Sequence, residues 1–499
     1  MHLKQIAAGI LAGMLLMTGA SLPAAARNTD NQGASSTEIG SSYEDGMFVF
    51  TIVEGGVELT GVNTNSLAVI LPDETDGRKI ISIGNSAFYN CNKMESVQLG
   101  KYIKTIGISA FEGCESLTSI TIPDCVTELG RDTFSGCSSL KTLNLPAHIK
   151  AIPDGMCYTC AQLEAITIPD EVTDIGAEAF YNCWLLSDVT IPEGVEHVGN
   201  YAFAFCGSME EDSLPSSVKA IGSGVYCGCE GLTSFTFGRN LTDVGTLNFI
   251  GCKNLSTYIV EAGNQTYSET DGVVYKADGS VLFAYPAGNP AEKFAVPEGV
   301  TTIYDAAFFT AEHLKEVTFP STLHYIGAGA FEYCSSLKSV VLPEGTEIIY
   351  ENAFADCTSL SSVTLPQSLQ GIGNYAFYAC PSLKEVTIPA RCSTVGNYAF
   401  GYQDGTETDE NGTPIPVKIA GFKQKGGGLS AGKIVFIVIG VIVLDGVIFL
   451  LVKIIHKNQL SKEEHEALMD ANEEPYESMA GDSEEETDDT DESSETTEE

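Results

Sequence analysis

Basic residues are scarce in this 499-residue chain: 26 lysines and arginines stand against 67 aspartates and glutamates, for a formal net charge of −41. A phosphate backbone calls for a basic surface, so no nucleic-acid partner is expected. Histidine is equally sparse, at His2, His148, His197, His313, His324, His456 and His465. The spacing is neither that of a zinc hydrolase nor that of a nucleophile elbow. The sequence therefore offers no catalytic residues, no metal site and no cofactor. No cysteine precedes Cys91, which leaves nothing near the amino terminus to carry a lipid. No LPxTG-type motif precedes the apolar segment near the other end, which argues against sortase attachment.

What is abundant is a repeat of 23 residues, clearest from Ile106 to Pro123. Its aromatic column holds Phe88, Phe111, Phe134, Phe180, Phe203, Phe249, Phe308, Phe331, Phe354, Phe377 and Phe400, with Cys157 and Tyr226 as substitutes. Three residues on lies a thiol column: Cys91, Cys114, Cys137, Cys160, Cys183, Cys206, Cys229, Cys252, Cys334, Cys357 and Cys380. Such regularity predicts a solenoid, because one unit cannot bury its own apolar face and needs a neighbour stacked on it. The segment Leu-x-x-Val-x-Ile-Pro alternates apolar and polar residues before a closing proline, as in Leu117 to Pro123. It predicts one parallel β-strand per repeat, in a β-rich right-handed superhelix.

Residues 1–26 read as a signal peptide: His2 and Lys4, an apolar run, then Ala24, Ala25 and Ala26. A polar leader at 27–45, expected to be flexible, gives way to short strands at 46–75 that cap the first repeat. The solenoid is assigned to 76–402. Near 260–296 its register is broken by an insertion in which Ala277-Asp278-Gly279 joins two apolar runs, predicting a hairpin that stands out from the solenoid edge. A C-terminal cap and glycine-rich linker at 403–432 leads into residues 433–453, read as one transmembrane helix. One mid-membrane acid, Asp445, costs about 3 kcal/mol, which the surrounding Ile, Val, Leu and Phe offset. Asp445 is either tolerated or paired with a basic group in a partner's span. Residues 454–499 form an acidic tail, expected to be disordered and cytoplasmic, with the solenoid outside the plasma membrane.

The phrase Cys-x-x-Leu-x-x-Val-x-Ile-Pro-x-x-Val-x-x-Ile-Gly-x-x-Ala-Phe resembles the BspA-like leucine-rich repeats of bacterial and some protist surface proteins. The resemblance covers roughly residues 46 to 402 and includes Thr270 to Tyr275 of the insertion. It implies an adhesin or partner-binding surface protein and specifies no ligand.

Three features bear on function. The outward strand column carries Thr121, Asn144, Thr167, Thr190, Thr236, Thr318, Thr364 and Thr387. These are ordinary exposed strand residues, or else a hydroxyl-lined surface for an extracellular protein or glycan. The regular cysteines are expected to form a ladder of free thiols, with Cys125, Cys157, Cys227 and Cys392 off the ladder and more reactive. Asp212 occupies a column otherwise apolar, as a local irregularity or as an ion or ligand site. Two functions fit: surface adhesion without chemistry, or a transmembrane receptor or scaffold whose acidic tail recruits a cytoplasmic partner.

Overall fold

The computed structural model describes residues 39–212 and 214–401 and, by its backbone, the strand Lys418–Ala420. The segments read from the sequence as a signal peptide, a transmembrane helix and an acidic tail, with most of the leader and C-terminal linker, lie outside the described residues. Among the described residues no helix is long and apolar enough to cross a membrane.

Each repeat is one turn of a solenoid and supplies two short parallel strands rather than the one predicted, because the two residues before the glycine corner also pair with their equivalents in the next turn. The segment before the proline forms a three-residue strand, exposed-buried-exposed, as at Ser119–Thr121, Thr142–Asn144 and Ala165–Thr167. A two-residue strand precedes the glycine corner, as at Asp174–Ile175 and His197–Val198. Strands one repeat apart pair in register, Leu143 on Ile120 and Ile175 on Val198. Equal repeat length thus sets every inward side chain against its own kind. On the third side the chain turns through the aromatic column, where the Phe88 N–H donates to the Ala110 carbonyl of the next turn and Phe111 to Thr133, both at 2.8 Å.

Four residues before the aromatic column stands glycine, for a reason the structure makes plain. Gly107 and Gly199 are not left-handed, yet a Cβ would lie 2.6 Å from the Asn85 nitrogen and 2.5 Å from the Ala177 nitrogen, respectively. The corner is a close approach of two backbones. Left-handed residues occur instead two before and two after the aromatic column, at Ser109 (φ 54°), Thr159 (φ 60°) and Tyr201 (φ 55°) among others. Composition gave no sign of them, because no single residue type fills those columns.

The leader is shorter than expected. Ser42–Asp45 pairs antiparallel with Phe48–Val53, so the cap begins inside the segment assigned as flexible. Backbone pairing and the Tyr43 ring, 5.8 Å from Phe50, order it. Gly56–Val62 and Ala68–Ile70, assigned to the cap, already pair in parallel with the next turn. At the other end Lys418–Ala420 pairs in parallel with Glu385–Thr387.

The insertion does not stand out from the edge. Val273–Lys276 and Val281–Ala284 form the hairpin, and the second strand pairs in parallel with Thr302–Ile303 as an ordinary turn of the solenoid. Tyr285 serves as its aromatic-column residue: its N–H donates to the Ala307 carbonyl, and its ring stacks on Phe308 at 4.7 Å. Alternate residues point opposite ways. Val274 and Phe283 belong to the N-terminal core, and Val273, Tyr275 and Leu282 to the C-terminal one. The hairpin is a septum between two cores.

Gly199→Ala should destabilise the solenoid by about 1–3 kcal/mol through overpacking, whereas Thr159→Gly should raise the melting temperature by relieving a left-handed β-branched residue. Thermal unfolding of both variants followed by circular dichroism checks the opposite signs.

Candidate binding surface

The aromatic column forms the floor of the core. Phe88, Phe111, Phe134, Phe180, Phe203, Phe308, Phe331, Phe354, Phe377 and Phe400 are buried, and Phe249 is half-buried. Rings stack from turn to turn with nearly parallel planes, Phe331 on Phe354 at 5.0 Å and Phe377 on Phe400 at 5.2 Å.

Beside them runs the thiol ladder, and its chemistry is specific. Cys114 Sγ donates to the Phe88 carbonyl of the preceding turn at 3.2 Å, as do Cys137 to Phe111, Cys206 to Phe180, Cys334 to Phe308 and Cys380 to Phe354. The same carbonyls already accept the cysteine N–H of their own turn, Cys91 to Phe88 at 3.0 Å and Cys114 to Phe111 at 3.2 Å. A thiol is small and apolar enough to be buried there and still satisfies a second carbonyl lone pair. Burial pushes the Cys206, Cys252 and Cys334 thiols well above their ordinary value. All fifteen cysteines are free thiols. Of the four off the ladder, Cys157 and Cys392 are buried, which corrects the expectation that they are reactive, while Cys227 is half-buried and Cys125 exposed. Cys157 is sheltered because it occupies the aromatic column.

The outward column faces solvent along the three-residue strands. Thr121, Asn144, Thr167, Thr190, Thr318, Thr364 and Thr387 are exposed and Thr236 half-buried. Register places Asn144 beside Thr121, with Nδ2 donating to Oγ1 at 3.0 Å, and Thr167 beside Thr190. The structure adds members the sequence reading missed. Ile70, Ile259 and Val341 occupy this same column and are 68%, 47% and 62% exposed. Their period-two position in each strand was the signal that could have found them. The six-stranded sheet from Ala68–Ile70 to Asp188–Thr190 carries a single charge, Asp188, on its outer face. On a chain of net charge −41 that is a neutral window.

The window ends at Asp212. This carboxylate stands between Val189 and Phe235 in the inward column and accepts the Thr236 N–H at 2.7 Å. Only an isolated bridge, Glu211 to Ser234, continues the ladder there. Burial, opposed by the backbone donors of Thr236 and Leu214, raises its pKa to about 6. Among the described residues no group of three or more His, Cys, Asp or Glu could hold a metal ion.

In native protein a thiol reagent should modify Cys125 first, and the buried ladder cysteines from Cys114 to Cys380 only on unfolding; stopped-flow titration with and without denaturant checks this. The raised pKa of Asp212 means that its carboxyl is neutral in the folded chain up to about pH 6 but ionises near 3.8 when unfolded. The resulting penalty is absent near pH 4 and complete above pH 7. Asp212→Asn should therefore stabilise the protein at pH 7.5 by on the order of 1 kcal/mol, a gain that vanishes towards pH 4 in denaturant titrations.

A family model for the BspA type leucine rich repeat region matches residues 71–185, 150–270 and 283–406, in six copies. The residues it skips, 271–282, are most of the septum hairpin. Among curated proteins nothing matches the chain. Among solved structures the chain is similar to a leucine rich cell surface protein from Faecalibacterium prausnitzii, at 28% identity and a TM-score of 0.60, over 79% of this chain and 100% of that one. A leucine-rich repeat protein from Bacteroides ovatus is 25% identical at a TM-score of 0.45, over 74% and 99% of the two chains. With most of its length matched, and those stretches coinciding with stacked turns of phenylalanine and cysteine columns, the chain belongs to the BspA-type leucine-rich repeat family.

Proposed function

We propose that this protein is a cell-surface adhesion or interaction protein, anchored in the plasma membrane by residues 433–453, that binds an extracellular protein or glycan without catalysis. The observation that carries the reading is the neutral outer face of the six-stranded sheet, where Thr121, Asn144, Thr167 and Thr190 follow one another in register. Hydroxyls and an amide that both donate and accept suit an uncharged polar partner. The exposed Ile70 at the end of the same column adds apolar contact. Family membership and the likeness to a bacterial leucine rich cell surface protein support display at the surface. A binding role also agrees with the histidines, since His148 pairs with Glu171 and His197 with Asp174, across turns and at the surface. The acidic tail is then a solvated segment, and its recruitment of a cytoplasmic partner is the competing reading.

Thr167→Arg combined with Thr190→Arg should lower adhesion of cells displaying the protein at least tenfold while leaving the melting temperature unchanged. Deleting residues 458–499 should leave adhesion intact. Adhesion unaffected by the arginines would sink the sheet face as the binding surface, and downstream signalling lost with the tail would favour the receptor reading.

A further inference from the structure

The septum leaves an opening on the turn side of the solenoid. In nine turns, three N–H groups, two residues before, at and two residues after the aromatic column, donate to carbonyls of the following turn, as Glu178 does to Asn200, Phe180 to Ala202 and Asn182 to Ala204, at 2.7–2.8 Å. The turn of Phe249 breaks all three bonds. Among the described residues the N–H groups of Leu247, Phe249 and Gly251 have no protein partner. Two turns on, the Asp305 carbonyl, whose equivalents Asn200 and Ala328 accept such a bond, has none either.

The turn between them sinks inward. Two residues before and after the aromatic column, Ser86 and Asn90 are exposed and Tyr201 and Phe205 half-buried, whereas Phe283 and Ala287, which flank Tyr285, are buried. The result is a cleft of about 480 Å³, its open mouth included, lined by Thr246 to Ile250 from one turn, by Asp305 and Ala306 from another, and by Ala284, Tyr285 and Ala287 between them. The outer turns are two spacings apart, roughly 10 Å, which is the room that one added rung of polypeptide takes.

The chemistry of this cleft selects its occupant. Three donors at alternate residues call for three acceptors at the same period, and a single anion would reach only one of them. The Asp305 carboxylate beside the cleft repels an anion as well. A polypeptide carries both carbonyl acceptors and N–H donors along its length. The regular turns show the form it takes there, with left-handed residues two before and two after the aromatic column, as at Gly224 (φ 66°) and Gly228 (φ 73°). Glycine adopts that backbone without strain.

We propose that this cleft docks a loop of a partner protein that carries two glycines four residues apart and lies there as an added rung, its carbonyls accepting from Leu247, Phe249 and Gly251 and an N–H donating to the Asp305 carbonyl. Main-chain bonds of this kind supply affinity with little demand on side chains. The cleft is separate from the neutral sheet face, so either can fail without the other.

Purified full-length protein is titrated with acetyl-Ser-Gly-Ala-Ala-Ser-Gly-Ser-amide and with a control of the same composition whose glycines are adjacent, and backbone hydrogen exchange is followed by mass spectrometry. In the free protein residues 246–252 should exchange about tenfold faster than their equivalents 200–206, whose N–H groups are paired with the next turn. Saturating peptide should slow 246–252 about tenfold and leave 200–206 unchanged, and the control should do neither. Leu247→Tyr should fill the cleft: Tyr201 holds the equivalent position at φ 55°, and its ring lies against Gly224 of the following turn. This variant should keep the melting temperature and lose the slowing by peptide. Should it unfold, the contrast between the two peptides on the unaltered protein still decides. Three results overturn the proposal: residues 246–252 exchanging as slowly as 200–206 in the free protein, the two peptides acting alike or not at all, or slowing by peptide that survives Leu247→Tyr.

Discussion

Every feature of this molecule follows from the requirement that successive turns lie one strand spacing apart with no change of length. At about 4.8 Å a backbone group in one turn reaches its equivalent in the next, and so does each side chain. Any residue that packs well against a copy of itself is then favoured in its column. Phenylalanine satisfies this by offset stacking, as between Phe308 and Phe331 at 4.6 Å. Cysteine satisfies it by donating back to the carbonyl of the preceding turn. Glycine satisfies it by leaving room where two corners meet.

The solvent side obeys the same geometry with different chemistry. Some charged residues meet an opposite charge in the same column one turn away, as Lys219 meets Glu196 and Lys315 meets Glu292. Exposed pairs of this kind contribute little to stability. Where the column carries hydroxyls, as on the six-stranded sheet, no such compensation is needed, and the surface is left free for contact.

Much of this was legible in the sequence because a stacked repeat writes the same residue at the same offset. The solenoid, its strand segments and the family could be read from Ile106 to Pro123 and its copies. The glycine columns could be read as close approaches because Pro153, Tyr304 and Tyr350 replace them without a left-handed backbone. What escaped was whatever lacks a repeating letter. Ser109, Thr159 and Tyr201 share one conformation and no composition. Tyr285 holds an aromatic-column place, but the residues before it are out of phase, so the hairpin looked like an appendage. Ser42–Asp45 is ordered by backbone pairing and by the single apolar side chain of Tyr43 packed on Phe50, too short a signal to stand out from a polar leader. The candidate surface was half visible: the threonines stood out by identity, whereas Ile70, Ile259 and Val341 belong to it only by position.

The septum has a mechanical meaning. A stacked array without partitions passes disorder from turn to turn, since each layer relies on the one before it. Here Val274 and Phe283 close one core while Tyr275 and Leu282 close the other, so fraying that starts at the C-terminal turns meets a finished wall rather than a bare apolar layer. Cleavage within the C-terminal turns would leave the N-terminal turns as a shorter solenoid whose last core layer is already closed.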